Sequence, residues 1–191
     1  MAQPNIKATS FHMQDIQSLK GSFLIASPLI PDARFKQTII FICESKNSTF
    51  GFIIDPSEKN TTSKFKKKFK NTILQGVPVY LGGPVDESKL FLVHSHDALW
   101  PESLKIENLA ITTINDVLRK QDRLPKDYMI IAGYANWMHM QLERELSLGF
   151  WVVSNNDSAV IFDKTIKNRW KYCMDKLQLN ANTFAHYVGT T

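Results

Sequence analysis

The sequence predicts an α/β or α+β fold built on a mixed sheet. Three observations carry that expectation. Gln37–Cys43 (QTIIFIC) and Tyr128–Tyr134 (YMIIAGY) are apolar on both faces and rich in β-branched residues, as central strands are. Apolar residues recur every four positions at Phe65, Phe69 and Ile73, and again at Met138, Leu142 and Leu146, the stripe of an amphipathic helix. Strands fall in adjacent runs mixed with separated helices.

Taken in order, residues 1–18 are polar and weakly patterned and read as an N-terminal arm. Gly21–Ser27 (GSFLIAS) is a short strand, followed by the loop PLIPDARF. Gln37–Cys43 and Phe50–Ile54 (FGFII) are joined most simply as a hairpin through the polar stretch Glu44–Thr49. Thr61–Gln75 reads as an amphipathic helix with Thr62 or Ser63 as N-cap, ending near Gly76. Pro78–Leu81 and Leu90–Ser95 are strands flanking the turn GGPVDESK, Ile106–Ile111 a weaker strand, and Thr113–Lys120 a short helix. After Tyr128–Tyr134, Gly133–Trp137 reads as a strand-to-helix corner in which Gly133 turns the chain and Asn136 caps the helix. Phe150–Val153 and Ala159–Phe162 read as strands around SNNDS, and Asp163–Leu177 as a closing helix. The resulting organisation is an arm (1–18), a single domain (19–180) and a tail (181–191).

Composition sets the class. Of 191 residues, 43% are hydrophobic and 21% charged, which suits a globular chain with a full core. A formal charge of +5 is mild, so a nucleic-acid partner would require that excess on one face. Cys43 and Cys173 are far apart and fit no metal spacing, consistent with a reducing cytoplasm. No secretory h-region opens the sequence, and no apolar run approaches the ~18 residues of a membrane span. A cytoplasmic protein without a membrane partner is expected.

Candidate chemistry is sparse. Gly133-Tyr134-Ala135-Asn136-Trp137 has one glycine and no lysine, short of either the dinucleotide or the P-loop pattern, and its aromatics would crowd a phosphate. Gly82-Gly83-Pro84-Val85 suits a tight connection or a ligand approaching bare backbone. His94-Ser95-His96-Asp97 could place two imidazoles on one strand face, yet His12, His139 and His186 are scattered and no four-ligand zinc set forms. No G-x-S-x-G elbow supports a serine triad. No metal, cofactor or catalytic residue is therefore assigned. Cys43 is a reactive-thiol candidate only if a cation activates it; Glu44 opposes that, while Lys46 lies near. Lys64–Lys70 (KFKKKFK) is the strongest electrostatic feature, and its basic residues Lys64, Lys66, Lys67, Lys68 and Lys70 form a patch for an anionic surface.

Several of these segments together resemble the AlgH/YqgE family of bacterial proteins. Gly21–Pro28 is similar to the family's G-x-F-L-I-A-x-P opening, and Phe35–Glu44 to its strand ending in C-E. Phe50–Pro56 resembles its G-x-V-I-N-[RK]-P turn. Gly82–Val85 matches GGPV, and Phe91–Ser95 matches F-x-x-H-S. Ala132–Trp137 with Gln141, Leu142, Glu143 and Glu145 resembles G-Y-A-G-W-x-x-x-Q-L-E-x-E, and Asp163 with Arg169-Trp170 the closing pair. Gln37, Asp55 and Asn136 depart from the family pattern, and the lysine-rich segment is particular to this sequence. The resemblance implies a mixed sheet bent into a pseudo-barrel with flanking helices. Family labels mention transcriptional regulation, but no reaction, cofactor or DNA-reading motif comes with them.

The expectation is a non-enzymatic regulatory protein that binds a protein partner or a small ligand. Its cleft would gather Gly82, Gly83, Pro84, His94, Ser95, Gly133, Tyr134, Asn136, Trp137, Gln141, Glu143 and Glu145. Two alternatives stand beside it: an enzyme or thiol-based sensor using Cys43 or His94, and nucleic-acid binding through Lys64–Lys70.

Overall fold

A computed structural model of the chain describes residues 19–45, 48–97, 100–120, 123–138, 140–155 and 157–179. The expected arm and tail lie outside the described residues, as do His12, Lys46, His139 and His186. Along the chain run β1 (Phe23–Ala26), β2 (Ile39–Glu44), β3 (Thr49–Ile53), β4 (Thr61–Thr62), β5 (Val79–Leu81) and β6 (Val85–Ser95). Next come β7 (Leu104–Ile106), β8 (Leu109–Thr113), α1 (Ile114–Lys120), β9 (Tyr128–Trp137) and α2 (Gln141–Ser147). Then follow β10 (Trp151–Ser154), α3 (Ser158–Phe162) and α4 (Arg169–Lys176). The class is α+β with mixed pairing: β5 runs parallel to β9, and the other described pairs are antiparallel. Two compact units divide these elements, one from Met1–Ile54 with Ala135–Thr191 and one from Asp55–Tyr134.

In the first unit, strands run in the order β10, β1, β2, β3 and the end of β9. Register aligns Val153 with Leu24, Leu24 with Ile40 and Ile40 with Ile53, so one face presents a continuous aliphatic row. Trp137, Trp151 and Leu142 of α2 pack onto that row. The opposite face is closed too, with Phe23, Phe41 and Phe52 fully buried. Burial on both faces explains why QTIIFIC shows no polar alternation. Gly51 permits the close approach of β3 to β2, because a Cβ there would run into the Phe41 carbonyl oxygen.

The second unit orders β5, β9, β6, β8 and β7, with β4 on the free side of β5. Val79, Ile130 and Leu92 share one face, and Ile114 and Val117 of α1 cover it with Phe69, Leu74 and Trp100.

Local pattern and structure part at several places. Gly133 does not turn the chain, and Asn136 is not a helix cap. β9 continues through both, because Thr49–Gly51 of β3 offer Ala135–Trp137 a paired edge. α2 starts later, at Gln141, after Met140 at φ 63°. The stretch 61–75 is not a helix. Its bonds are successive i+3 turns at Lys66, Lys70, Thr72 and Gln75, with a single i+4 bond at Phe69, and Asn71 sits at φ 60°. Lysines three and four apart repel along a helix, whereas burying Phe69 and Leu74 is worth about 2 kcal/mol each. Ala159–Phe162 is helical rather than extended, since Asp157 accepts the Ala159 N–H and starts α3. The closing helix is confined to α4, where Asn168 caps by accepting the Lys171 N–H at 2.8 Å. Ile106–Ile111 divides into β7 and β8 around Glu107 at φ 51°.

Candidate functional site

The GGPV stretch and Gly133 do meet. Gly82 N–H donates to the Ala132 carbonyl at 2.8 Å. A Cβ on Gly133 would lie 2.7 Å from the Gly83 oxygen and 2.9 Å from the Val85 oxygen, with φ at +71°. Glycine is thus required at 133 for backbone approach inside the sheet. Tyr134 pairs with Val85 and lies edge-on to Phe91 at 6.4 Å, while Pro84 is half-buried beside Gly83.

His94 does not join them. It pairs with Tyr128, whereas Val85 pairs with Tyr134, so about 20 Å of ladder separates the two ends. The ring is fully buried. Nδ1 lies 2.8 Å from the Ser95 carbonyl oxygen, which can only accept, so Nδ1 carries the proton. The Thr112 hydroxyl, 2.9 Å from Nε2, is then the donor, and Ser103 Oγ completes the chain 2.6 Å from Thr112 Oγ1. Burial holds the His94 pKa below the ordinary imidazole value, against the raising effect of the Ser95 carbonyl. Ser95 and Asp97 are bonded to each other, and both bind backbone N–H groups of Lys126 or Asp127. These are the bonds of a closed strand end. Among the described residues no group of three His, Cys, Asp or Glu side chains could hold a metal ion.

Cys43 lies in a bulge of β2, where register shifts between Ile42 and Glu44, and it is fully buried. Its thiol donates to the Phe41 carbonyl at 3.6 Å. Burial pushes the thiol pKa well up; Lys20 pulls it down less, and Glu44 adds to the rise. The local cation is therefore Lys20, itself 3.8 Å from Glu44, and the sulfur stays protonated at neutral pH. Burial likewise pushes the Cys173 thiol up, to about 12.

In the first unit, the acidic end of the family block forms a compact cluster. Trp137 and Trp151 both donate their indole N–H to Glu145 Oε2, at 2.9 and 2.7 Å, and the rings sit edge-on at 5.8 Å. Gln141 Nε2 donates to Glu145 Oε1 at 2.9 Å, while its own Oε1 accepts the Met138 N–H at 3.1 Å. Glu143 is half-buried on α2, and Asn136 is exposed. The carboxylate thus clamps α2 to β9 and β10.

The basic residues separate into two groups. Lys64 pairs with Glu87 at 2.7 Å and Lys68 donates to Asn115 at 3.3 Å. Lys66, Lys67 and Lys70 instead line a concavity of about 580 Å³ within the second unit. The β4–β5 pair and the turns after it build this site. Asn60 ties the approach to β4 down by donating to the Asp55 and Leu81 carbonyls, at 2.9 and 3.0 Å. Gln75 Oε1 accepts the Asn71 N–H at 2.7 Å, and Gly76 at φ +81° brings the chain back into β5. Phe69, Val77 and Val79 supply apolar lining, and Thr62 and Ser63 supply hydroxyls. Among the described residues no carboxylate pairs with the three lysines. Sequence periodicity missed this site because it assigned all five lysines to one helix. The glycine at 76 and proline at 78, both turn signals, mark where the chain folds back.

Comparison with known proteins follows the same residues. The profile of an AlgH-like family matches residues 23–182. A UPF0301 protein of Legionella pneumophila (strain Lens) is 31% identical over 185 residues, covering 93% of this chain and 99% of that one. One from Photorhabdus laumondii is 32% identical over 184 residues, covering 90% and 98%. The solution structure of AlgH from Pseudomonas aeruginosa is similar with a TM-score of 0.69 at 28% identity, over 87% of this chain and 93% of that chain. A crystal structure from Corynebacterium diphtheriae, at 19% identity and TM-score 0.66 over 88% and 91%, shares the fold. Among the described residues no helix is long and apolar enough to cross a membrane.

Proposed function

The chain belongs to the AlgH-like family, and from that premise we propose that it works in regulation by binding, as a non-enzymatic cytoplasmic protein, with a small ligand or a protein partner as the bound species. One contrast supports this reading. The groups best suited to chemistry, Cys43 and His94, are sealed in the cores, whereas Lys66, Lys67 and Lys70 surround an open concavity. A nucleophile needs access and a lowered pKa, and burial denies Cys43 both. A concavity of about 580 Å³ is of the size that takes small molecules.

Thermal unfolding of the full chain against a panel of small anions, cations and neutral metabolites tests the proposal. A ligand at a hundredfold excess over Kd stabilises by about 2.7 kcal/mol, a Tm rise of roughly 5–10 °C for a chain of this size. The shift is expected to saturate, to persist in Cys43→Ser and to vanish in Lys66→Gln/Lys67→Gln/Lys70→Gln. A panel with no saturable shift, or turnover of a substrate that Cys43→Ser abolishes, would refute binding as the activity.

A further inference from the structure

We propose that the concavity beside β5 takes a soluble phosphate monoester with an apolar body. The inference rests on the binding reading above and names its ligand class. Two properties of the site coincide. Lys66, Lys67 and Lys70 place three cations around it, unpaired with any described carboxylate, next to the hydroxyl-bearing Thr62 and Ser63. Lysine is a compact point charge that suits a phosphate head, and no arginine is present to favour a planar carboxylate fork. Val77 and Pro78, backed by the buried Phe69 and Val79, give the same site an apolar wall, which a bare inorganic ion could not use. Of the neighbouring cations, Lys64 is offset by Glu87, and Lys68 is held toward the Asn115 amide oxygen with its charge uncancelled, so the basic segment is not one continuous row of free cations. A nucleic-acid backbone needs such a row, with successive phosphates met by successive cations. A concave site with three cations and an apolar wall fits one small molecule better than a polymer.

The test is isothermal titration of the full chain with n-butyl, n-hexyl and n-octyl phosphate, inorganic phosphate, n-octyltrimethylammonium and a random 20-nucleotide single strand. Affinity is expected to rise about threefold per added methylene while the body remains inside, because each buried CH₂ contributes to transfer. Lys66→Gln/Lys70→Gln is expected to weaken octyl phosphate about tenfold, with circular dichroism confirming the fold. Val77→Ser is expected to flatten the chain-length trend and leave inorganic phosphate unchanged. Vesicles of phosphatidylcholine with phosphatidic acid are expected not to sediment the protein; sedimentation lost in the lysine variant would make the ligand a membrane headgroup and overturn the soluble class. Equal affinity for inorganic and octyl phosphate overturns the apolar body. Equal affinity for octyltrimethylammonium overturns the anionic head. An oligonucleotide that binds more tightly than octyl phosphate, with steep salt dependence, overturns the small ligand. If every alkyl phosphate fails while another panel compound gives a saturable, lysine-dependent shift, the ligand class falls and the binding reading stands; if the whole panel fails, both fall.

Discussion

Replacing Glu145 by alanine isolates the interaction on which the acidic end of the family block depends. Its Oε2 accepts both indole N–H groups, from Trp137 at 2.9 Å and Trp151 at 2.7 Å, and those side chains are 2% and 3% exposed. Truncation leaves two buried donors without an acceptor, at about 1–3 kcal/mol each. Glu145 itself is only half-buried, so water entering the vacated space recovers part of that loss. The net destabilisation is about 2–4 kcal/mol, or a Tm fall of roughly 4–16 °C for a chain of this length. Glu145→Gln keeps an oxygen that can face both indoles but sets its amide NH2 against the Gln141 Nε2 donor, and is expected to lose less than alanine because both indoles stay paired. Urea unfolding followed by tryptophan fluorescence measures both variants, and a cycle with Trp137→Phe isolates the pair. If alanine changes stability by less than about 0.5 kcal/mol, or alanine and glutamine cost the same, the carboxylate does not clamp the two rings.

Gly133→Ala combines positive φ with a Cβ 2.7 Å from the Gly83 oxygen, so a loss of about 2–5 kcal/mol in urea unfolding is expected. Both thiols have folded pKa values raised by burial, so the unfolded chain releases its protons first. Their stabilisation is full below the ordinary thiol pKa of 9.0 and declines as pH rises above it, by up to about 1.4 kcal/mol per pH unit per thiol. Cys173→Ala should reduce that decline in denaturation measured from pH 8 to about 10.5, and rapid folded-state alkylation of Cys43 at neutral pH would contradict its burial. His94 works in the opposite direction. Its folded pKa lies below the ordinary imidazole value of 6.5, so its contribution is present above that pH and is lost as pH falls toward the folded value. Nitrogen NMR should show a neutral ring protonated at Nδ1 at pH 6.5; an imidazolium there contradicts the assigned hydrogen bonds.

Much of the fold was legible locally. QTIIFIC and YMIIAGY announce strands covered on both faces, and the chain places them at β2 and in β9. α1 likewise begins where Thr113 and the following polar–apolar pattern put it. The family block was legible as a block, but its chemistry was not. Gln141 and Glu145 are four apart, which a helix face explains, yet nothing local shows that Glu145 meets indoles from β9 and β10.

The sequence by itself determined which segments are apolar, where glycines stand, and which charges exist. Tertiary structure decided the rest through partners distant in sequence. β9 runs on past Gly133 because β3 supplies its missing hydrogen bonds, which no corner motif records. KFKKKFK is held in turns because Phe69 and Leu74 find a core, while lysine repulsion weakens the helix that their spacing suggested. The lysines themselves part company once Glu87 and Asn115 are placed beside two of them. Local sequence sets conformational preferences worth tenths of a kcal/mol per residue. Burial and strand pairing contribute kcal/mol at a time, and they choose among those preferences.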